Sequence, residues 1–339
     1  MGAEHADADG GGDSDGDLAV RAERARAALV REIELSGAFA ADPRWREAFA
    51  AVPRHLFVPS YIVGVPGGYE RLWGQDPDPR RRLRWLEGAY TDQPLATRMR
   101  DGELISSSSQ PSLMATMLVE LGVEDGDRVL EIGAGTGYNA ALLAHRLGPD
   151  AVTTVDLDPE ITETARAHLA AAGYRAVVVT GDGARGCPER APFDRIIVTC
   201  ALRGVPSVWL EQCRPGARIL APLSTGIVVL TVRDAGFAEG RFLHTPAYFV
   251  ALRGAGGGEA GSGWAGRLPR SLVRDELFRF VLTLVGEYGG VDAREVLRVW
   301  EREGRPGRER FGVTLDRGRA YAWLDDPSGP YVWPLRGAA

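Results

Sequence analysis

A glycine-rich segment near the middle of the chain has the composition of a nucleotide-binding turn. Residues 129–137 read Val-Leu-Glu-Ile-Gly-Ala-Gly-Thr-Gly, so a short apolar strand runs into glycines at every second position. Glycine lets backbone N–H groups come close to a ligand, and a helix that begins there points further N–H groups at it. The spacing G-x-G-x-G differs from the dinucleotide pattern G-x-G-x-x-G, which disfavours a dehydrogenase.

Two acidic residues follow the next predicted strands, at the point where each strand ends. Asp156 closes the strand after the glycine turn, and Asp182 lies in a Gly-Asp-Gly turn after the third strand. Ligands in α/β sheets bind at the carboxyl ends of the strands, where these carboxylates could meet ribose hydroxyls and an adenine amino group. Either carboxylate alone could cap a helix, as we predict for Asp158. Together with the glycines, they predict a nucleoside pocket.

Several blocks along the chain resemble known enzymes, in the right order. Residues 131–137 resemble the first motif of class I methyltransferases, and further blocks resemble the protein-L-isoaspartate O-methyltransferase family in particular. These further blocks are residues 52–54 and 57–59, Tyr90 with Asp92 and residues 94–95, and residues 109–111, 181–183, 191–199 and 210–218. The resemblance covers about residues 43–254.

The resemblance implies a reaction, a cofactor and a set of site residues. S-adenosyl-L-methionine would methylate a carboxylate of an isoaspartyl or aspartyl residue in a protein or peptide. The ester would then close to a succinimide (aspartimide), which hydrolyses partly to normal Asp. The family pattern implies Ser109 as the catalytic residue. It implies Ser107, Ser108, Gln110 and Asp92 as substrate-binding residues, and Glu131, Gly133, Ala134, Gly135, Gly137, Asp156, Leu157, Asp182 and Gly183 as cofactor-binding residues.

A carboxylate acceptor explains why the sequence carries no signature of a catalytic base. A carboxyl group has a reference pKa of about 4 and is anionic at neutral pH, so it can accept a methyl group without first losing a proton. The protein must only hold the acceptor in line with the methyl group, and such positioning lowers the barrier. A hydroxyl and backbone N–H groups suffice for this task. Without the family context, the four serines at 106–109 would also fit a flexible polar loop or a helix N-cap.

The elements that must position these residues alternate between strand and helix. We predict helices over 18–36, 43–51, 111–121, 138–147 and 159–172, and strands over 128–132, 152–157, 176–180, 195–200, 218–222 and 227–232. The strands are short apolar runs, typical of strands buried on both faces. With the resemblance, this implies an α/β protein with the Rossmann-like class I methyltransferase fold and a mostly parallel central sheet flanked by helices.

Composition divides the chain into four parts. Residues 1–17 are acidic and Gly-rich, and we expect a disordered tail because they can bury little apolar surface. Residues 18–254 form the methyltransferase domain, with an irregular insertion at 60–89 that is rich in Gly, Pro, Arg and Trp. Residues 255–263 are a Gly-rich linker. Residues 264–339 are predicted as a small α+β module, with helices over 272–287 and 292–303 and strands over 311–315 and 319–324.

The added parts suggest a restricted substrate, because a general repair enzyme needs little beyond the core. The chain is similar in this respect to actinobacterial relatives that tailor ribosomally made precursor peptides. Aromatic residues near the end of the C-terminal module could recognise such a partner or complete a core. Two other classes stay open: a class I methyltransferase acting on a small molecule or RNA, and a non-catalytic binding module that keeps the fold.

Charge and cysteine content restrict the partners further. The net charge is −6, so we expect no nucleic-acid partner. All 40 basic residues are Arg, which we attribute to a GC-rich genome. The three cysteines lack the spacing of a disulfide framework or a metal site, and we expect no metal. No apolar run approaches a membrane span and no apolar signal core is visible, so we expect a cytoplasmic protein without a membrane partner. The cluster Arg80, Arg81, Arg82 and Arg84 is interpreted as a solvated face rather than a docking site for an acidic peptide.

Overall fold

The computed structural model describes residues 15–254 and 268–335. The N-terminal part contains α1 (Asp15–Leu35), α2 (Arg44–Ala51), α3 (Arg54–Phe57), β1 (Ser60–Val65), β2 (Gly68–Trp73), α4 (Pro79–Ala89), β3 (Leu95–Arg100), β4 (Glu103–Ser108) and α5 (Pro111–Leu121). The central part contains β5 (Val129–Ile132), α6 (Tyr138–Leu147), β6 (Val152–Asp156), α7 (Pro159–Ala171), β7 (Val177–Thr180), β8 (Phe193–Val198), α8 (Val208–Glu211), β9 (Cys213–Leu223), β10 (Gly226–Asp234) and β11 (Phe237–Pro246). The C-terminal part contains α9 (Arg270–Arg274), α10 (Glu276–Val281), a π-helical stretch at Leu282–Tyr288, α11 (Ala293–Arg302), β12 (Phe311–Asp316), β13 (Arg319–Leu324) and β14 (Val332–Leu335).

One half of the main sheet is parallel, and this half forms the ligand-binding edge. The main sheet has ten strands in the order β14-β13-β12-β11-β10-β9-β8-β5-β6-β7. Strands β7, β6, β5, β8 and β9 run parallel to their neighbours. Each of β5, β6 and β7 is followed by a helical segment, so the three strands end at the same edge of the sheet. This half has the predicted α/β organisation.

The other half is antiparallel, so the sheet as a whole is not mostly parallel. The pairs from β9 to β14 are all antiparallel. The physical reason is the length of the connections. Turns of two residues join β9 to β10, β10 to β11 and β12 to β13, and such short connections permit only antiparallel pairing. Strand β11, which the sequence analysis did not predict, is half-exposed and its apolar pattern is weak.

The C-terminal strands continue the main sheet, so residues 268–335 are docked onto the rest of the chain through strand pairing. Strand β12 pairs with β11 from Phe237↔Asp316 to Arg241↔Gly312. Buried residues of β12 and β13 belong to the same apolar cluster as buried residues of β5 and β8. The pairing covers the backbone N–H and C=O groups that β11 would otherwise expose at its edge.

The segment predicted as an irregular insertion is regular. Strands β1 and β2 form a hairpin, and with β3 and β4 they build a second sheet in the order β2-β1-β3-β4. Tyr61 and Leu72 of the hairpin are buried, and so is Trp85 of α4. Asp78 caps α4 by accepting a hydrogen bond from the Arg80 N–H, with Pro79 in the first turn. The Gly, Pro and Arg content therefore marks a tight hairpin and a capped helix.

Two expectations fall largely outside the described residues. The acidic tail was predicted at 1–17, of which only the last three residues are described, and these already belong to α1. The Gly-rich linker predicted at 255–263 lies entirely outside. No helix of the described residues is both long and apolar enough to span a bilayer.

Candidate functional site

A cleft opens at the carboxyl edge of the parallel strands. Its empty volume is about 850 Å³, including the open mouth. Three stretches form most of its wall: residues 105–109 from the end of β4, residues 131–136 after β5, and residues 250–253, which we call the strap. The strap follows β11 and is held by two hydrogen bonds, from Ala201 N to Val250 O and from Leu252 N to Ala201 O, both 2.9 Å.

The glycine turn after β5 lies at the floor of the cleft. Gly133 has φ +102°, and a Cβ there would lie 2.6 Å from Thr199 Oγ1, so the position requires glycine. Ala134 and Gly135 also line the cleft, whereas Gly137 does not. Gly137 instead allows close packing on α7, because its Cβ would lie 3.2 Å from Ala165 O.

Glu131 brings a buried carboxyl group to the same place. Its Oε1 accepts a hydrogen bond of 2.7 Å from Asn139 Nδ2, and Oε2 has no hydrogen-bond partner among the described residues. Burial raises the pKa of Glu131 to about 7. A buried acceptor without a partner is costly, so this carboxyl group is suited to a ligand that donates a hydrogen bond or carries a positive charge.

Asp156 lies at the end of β6 with both carboxylate oxygens in use. Oδ2 accepts from Gly135 N at 3.3 Å and Oδ1 accepts from Asp158 N at 3.3 Å, which ties the carboxylate to the glycine turn. Arg253 of the strap forms an ion pair with Asp156 at 3.4 Å. Leu157 lines the cleft as an exposed apolar side chain. Asp158 caps α7 by accepting from Glu160 N, which confirms the prediction for that residue.

The turn after β7 contributes Gly183 but not Asp182 to the cleft wall. Gly183 lines the cleft, and a Cβ there would lie 2.6 Å from Ile132 Cγ2. The Asp182 side chain accepts a hydrogen bond from Ala184 N and caps a short 3₁₀ turn. Asp182 also lies close to the end of the strap, since a Cβ on Gly254 would be 2.7 Å from its Oδ1.

The four serines at 106–109, which we call the serine segment, form the wall opposite the glycine turn. All four line the cleft, and a Cβ on Gly135 would lie 3.7 Å from Ser107 O. The Ser109 hydroxyl makes no hydrogen bond to any residue that the structure describes. It is therefore available to a bound acceptor. Ser106 to Ser108 are the end of β4, and Ser109 lies two residues before α5.

Gln110 and Asp92 lie behind the serine segment and do not line the cleft. Gln110 Nε2 donates to Asp92 Oδ2 at 3.0 Å, and Asp92 Oδ1 accepts from Ser112 N at 2.8 Å. Asp92 thus satisfies an N–H group in the first turn of α5. The contacts of both residues support the helix that follows the serine segment.

Arg54 is buried, and no function was predicted for it from the sequence. Its guanidinium donates to the carbonyl oxygens of Ala89, Thr91 and Gln93 at 2.9–3.0 Å, and to Ser109 O at 3.2 Å. Arg54 therefore joins the loop before β3 to the serine segment. The sequence feature that could have identified Arg54 is its place in residues 52–54, one of the blocks that resemble the family. No sequence feature identifies the strap residue Arg253, because its partner Asp156 is 97 positions away in the chain.

No group of three or more His, Cys, Asp or Glu side chains that could hold a metal occurs among residues 15–254 and 268–335. The three cysteines are free thiols. What the cleft offers is a glycine turn, two carboxylates and a row of hydroxyls. Such groups can bind and orient a ligand.

Comparison with known proteins points to one family. The model of the protein-L-isoaspartate(D-aspartate) O-methyltransferase family matches residues 82–241. The chain is 36% identical over 245 residues to a protein-L-isoaspartate O-methyltransferase of Hyperthermus butylicus, covering 68% of this chain and 89% of that protein. It is 35% identical over 240 residues to protein-L-isoaspartate O-methyltransferase 2 of an Anaeromyxobacter species, covering 69% and 85%.

Solved structures share the fold. A protein-L-isoaspartate O-methyltransferase superposes with a TM-score of 0.61 at 24% identity, covering 89% of this chain and 100% of that chain. A Plasmodium falciparum protein described as a putative member, in complex with S-adenosyl-L-homocysteine, has a TM-score of 0.50 at 13% identity, covering 67% and 97%.

Proposed function

The chain belongs to the protein-L-isoaspartate O-methyltransferase family, and we propose that the cleft at the carboxyl edge of its parallel strands is where it transfers the methyl group. The activity is S-adenosylmethionine-dependent methylation of isoaspartyl residues in proteins. One observation supports this location of the active site: the glycine turn, Asp156 and the serine segment line the same cleft.

The residues of the cleft fit the cofactor. S-adenosylmethionine supplies a methyl group activated on a sulfonium. The partnerless Oε2 of Glu131 suits a cationic or hydrogen-bond-donating part of such a ligand, and Asp156 suits its ribose hydroxyls. Gly133 and Gly135 both line the cleft and both have positive φ, a backbone conformation that favours glycine. Gly137 and Asp182 are assigned supporting roles, since neither lines the cleft.

Replacing Asp156 by Ala is expected to weaken S-adenosylmethionine binding about tenfold or more, because a hydrogen bond to a charged group contributes on the order of 1.5–3 kcal/mol. Isothermal titration calorimetry with S-adenosylmethionine and S-adenosylhomocysteine measures the change. Asp158→Ala is the matched control: Asp158 shares the Arg253 contact but lies outside the cleft wall. Equal affinities for the two variants would remove Asp156 from the site.

The chain's own residues have a limited task in the reaction. The acceptor carboxylate is already anionic, so no residue has to remove a proton. We assign the Ser109 hydroxyl the role of donating a hydrogen bond to this carboxylate and fixing its direction, with Ser107 and Ser108 forming the adjacent wall. The strap and the serine segment both form part of the cleft wall.

Ser109→Ala is expected to lower kcat about tenfold with little change in cofactor affinity, since it removes one hydrogen bond to a charged acceptor. Initial rates with an isoaspartyl peptide and calorimetry with the cofactor separate the two effects. Ser107→Ala and Ser108→Ala serve as comparisons. If Ser109→Ala keeps full turnover while Ser108→Ala loses it, the role belongs to Ser108.

The reaction itself is tested with a pair of peptides. The protein is incubated with methyl-labelled S-adenosylmethionine and an isoaspartyl peptide beside its normal aspartyl twin. Base-labile label on the isoaspartyl peptide alone is the expected result. Label on both peptides would extend the acceptor to Asp, and label on neither would contradict the proposed acceptor.

We further propose a dedicated peptide or protein substrate rather than general repair, in the cytoplasm. The observation in favour is that the family model matches only residues 82–241, so the β1–β2 hairpin and strands β12–β14 lie outside the shared sequence core, although a solved family member covers 89% of this chain. A panel of unrelated aged proteins tests this. Comparable kcat/KM values across the panel would support general repair instead.

A further inference from the structure

One row of residues crosses the four-stranded sheet from its far edge to the cleft. Arg71 of β2 is the direct partner of Ile62 in β1, Ile62 is the partner of Ala96 in β3, and Ala96 is the partner of Ser107 in β4. Direct partners on neighbouring strands point to the same face of a sheet. The side chains of Arg71 and Ser107 therefore lie on one face. Strand β4 ends at the cleft, which is lined by Ser107 and also by Ser106 and Ser108 of the opposite face.

The far end of this row is exposed and carries side chains typical of interfaces. Side chains alternate along a strand, so Tyr69 and Trp73 share the face of Arg71, and their exposed fractions are 73% and 40%. Arg71 is exposed and donates to the Ser60 hydroxyl at 2.9 Å. It forms no ion pair with any described residue. Tyr, Trp and Arg are enriched where proteins bind other chains.

Two arginines of the neighbouring helix α4, unlike Arg71, form ion pairs with a residue of β2. Arg81 and Arg84 of α4 both form ion pairs with Glu70, which points to the opposite face of β2. Arg81 also donates to Arg71 O at 3.2 Å, so α4 covers the outer edge of β2. A bound chain is thereby directed to the face of the sheet rather than to its edge. The one cation left for a partner on this face of β2 is Arg71.

We propose that this face, from Tyr69, Arg71 and Trp73 across Ile62 and Ala96 to Ser107, docks the polypeptide segment that adjoins the methyl acceptor. The inference rests on the proposed function, because it takes the acceptor to be a residue of a chain bound beside the serine segment. A carboxylate on the substrate chain would pair with Arg71, and its apolar or aromatic side chains would pack on Tyr69 and Trp73.

The geometry gives the position of the acidic residue. Strands in a sheet are about 4.8 Å apart, so three strand intervals separate Arg71 from Ser107 by roughly 14 Å. An extended chain rises about 3.3 Å per residue, so the carboxylate that meets Arg71 lies about four residues from the acceptor.

The test compares two isoaspartyl peptides on the full-length protein. The short peptide ends next to the acceptor, and the long peptide extends further and carries a Glu about four residues away, placed on either side in separate versions. Arg71→Glu is expected to raise KM for one version of the long peptide about tenfold and to leave kcat and the short peptide unchanged. The matched control is Arg80→Glu, an exposed arginine of the same segment with no side-chain hydrogen bond or ion pair to a described residue, which should change neither.

Each other outcome overturns the inference. Unchanged kinetics for Arg71→Glu with every peptide would exclude docking on this face. An equal loss for short and long peptides would mean that Arg71 acts through the fold. A changed oligomeric state in size-exclusion chromatography with unchanged KM would assign the face to a second copy of the chain. Wild-type protein that labels no peptide would instead contradict the proposed function, before any variant is compared.

Discussion

Deletion of residues 264–339 is expected to prevent folding rather than to yield a methyltransferase with altered substrate choice. The deletion would strip β12 from β11 and expose the edge formed by residues 237–241. It would also remove Phe280, whose ring centroid lies 4.8 Å from that of Phe242 in the remaining part. Burying one such side chain contributes about 1.5–3 kcal/mol, so the loss of several exceeds the roughly 5–15 kcal/mol that stabilises a typical domain.

Solubility, size-exclusion chromatography and thermal unfolding of the truncated chain test this expectation, and calorimetry tests whether it still binds S-adenosylmethionine.

A point variant weakens the same contact by a smaller amount. Phe311→Ala removes one buried ring, whose centroid lies 5.6 Å from that of Phe280, and should lower the free energy of unfolding by about 3–5 kcal/mol. As a control, Arg319→Ala in the same sheet changes an exposed residue and should stay within about 0.5 kcal/mol. A soluble truncation that unfolds cooperatively and binds the cofactor would show that residues 264–339 are not needed for folding of the rest of the chain.

The pairing of β12 with β11 is the part of the fold that the sequence could not predict. The Gly-rich stretch after residue 254 was interpreted as a boundary, and the helices and strands beyond it were predicted approximately where they occur. Their attachment was not predictable, because Glu239 pairs with Thr314, 75 positions away in the chain. Local patterns report which residues form strands, but they carry no information on which distant strand lies alongside.

The site was predictable to a similar extent and for a similar reason. Glycines at 133 and 135 and the carboxylate at 156 were predicted, because strand ends and backbone conformations leave local signatures. The family pattern predicts Asp92 in the substrate site; its carboxylate accepts a hydrogen bond from the first turn of α5 and does not line the cleft. Arg253 could not be predicted, since nothing near it in sequence indicates that the strap returns over Asp156.

Arg54→Met is expected to lower the free energy of unfolding by about 3–5 kcal/mol, because it leaves several buried carbonyl groups without a donor, at about 1–3 kcal/mol each. The side chain is fully buried, and no carboxylate of a described residue is bonded to it. Nη1 and Nη2 donate to the backbone carbonyl oxygens of Ala89, Thr91, Gln93 and Ser109, while Nε has no hydrogen-bond partner among the described residues. Burial lowers the pKa of Arg54 to about 10, so the guanidinium stays protonated at neutral pH. Methionine keeps much of the volume and removes every donor, which leaves buried carbonyl groups without partners.

Two further variants separate charge from geometry. Arg54→Lys keeps the charge but replaces the planar fork of donors with one ammonium group, so it should recover only part of the lost stability. Arg44→Met on the adjacent helix is the matched control, because Arg44 is exposed and its ion pair with Asp42 should contribute less than about 1 kcal/mol. Urea unfolding of the three variants measures these differences. Full stability of Arg54→Met would mean that water can replace the guanidinium.

Arg54 is also expected to affect the reaction without contacting the substrate, by holding the serine segment in place. The guanidinium spans the loop at 89–93 and the backbone of Ser109, so it fixes the serine segment against the rest of the N-terminal part. At a temperature where Arg54→Lys is fully folded, kcat should therefore fall while the cofactor Kd stays near the wild-type value, because the glycine turn is built from other elements. A parallel loss of cofactor affinity would show that Arg54 only maintains the fold, since a positioning residue should move the acceptor side alone.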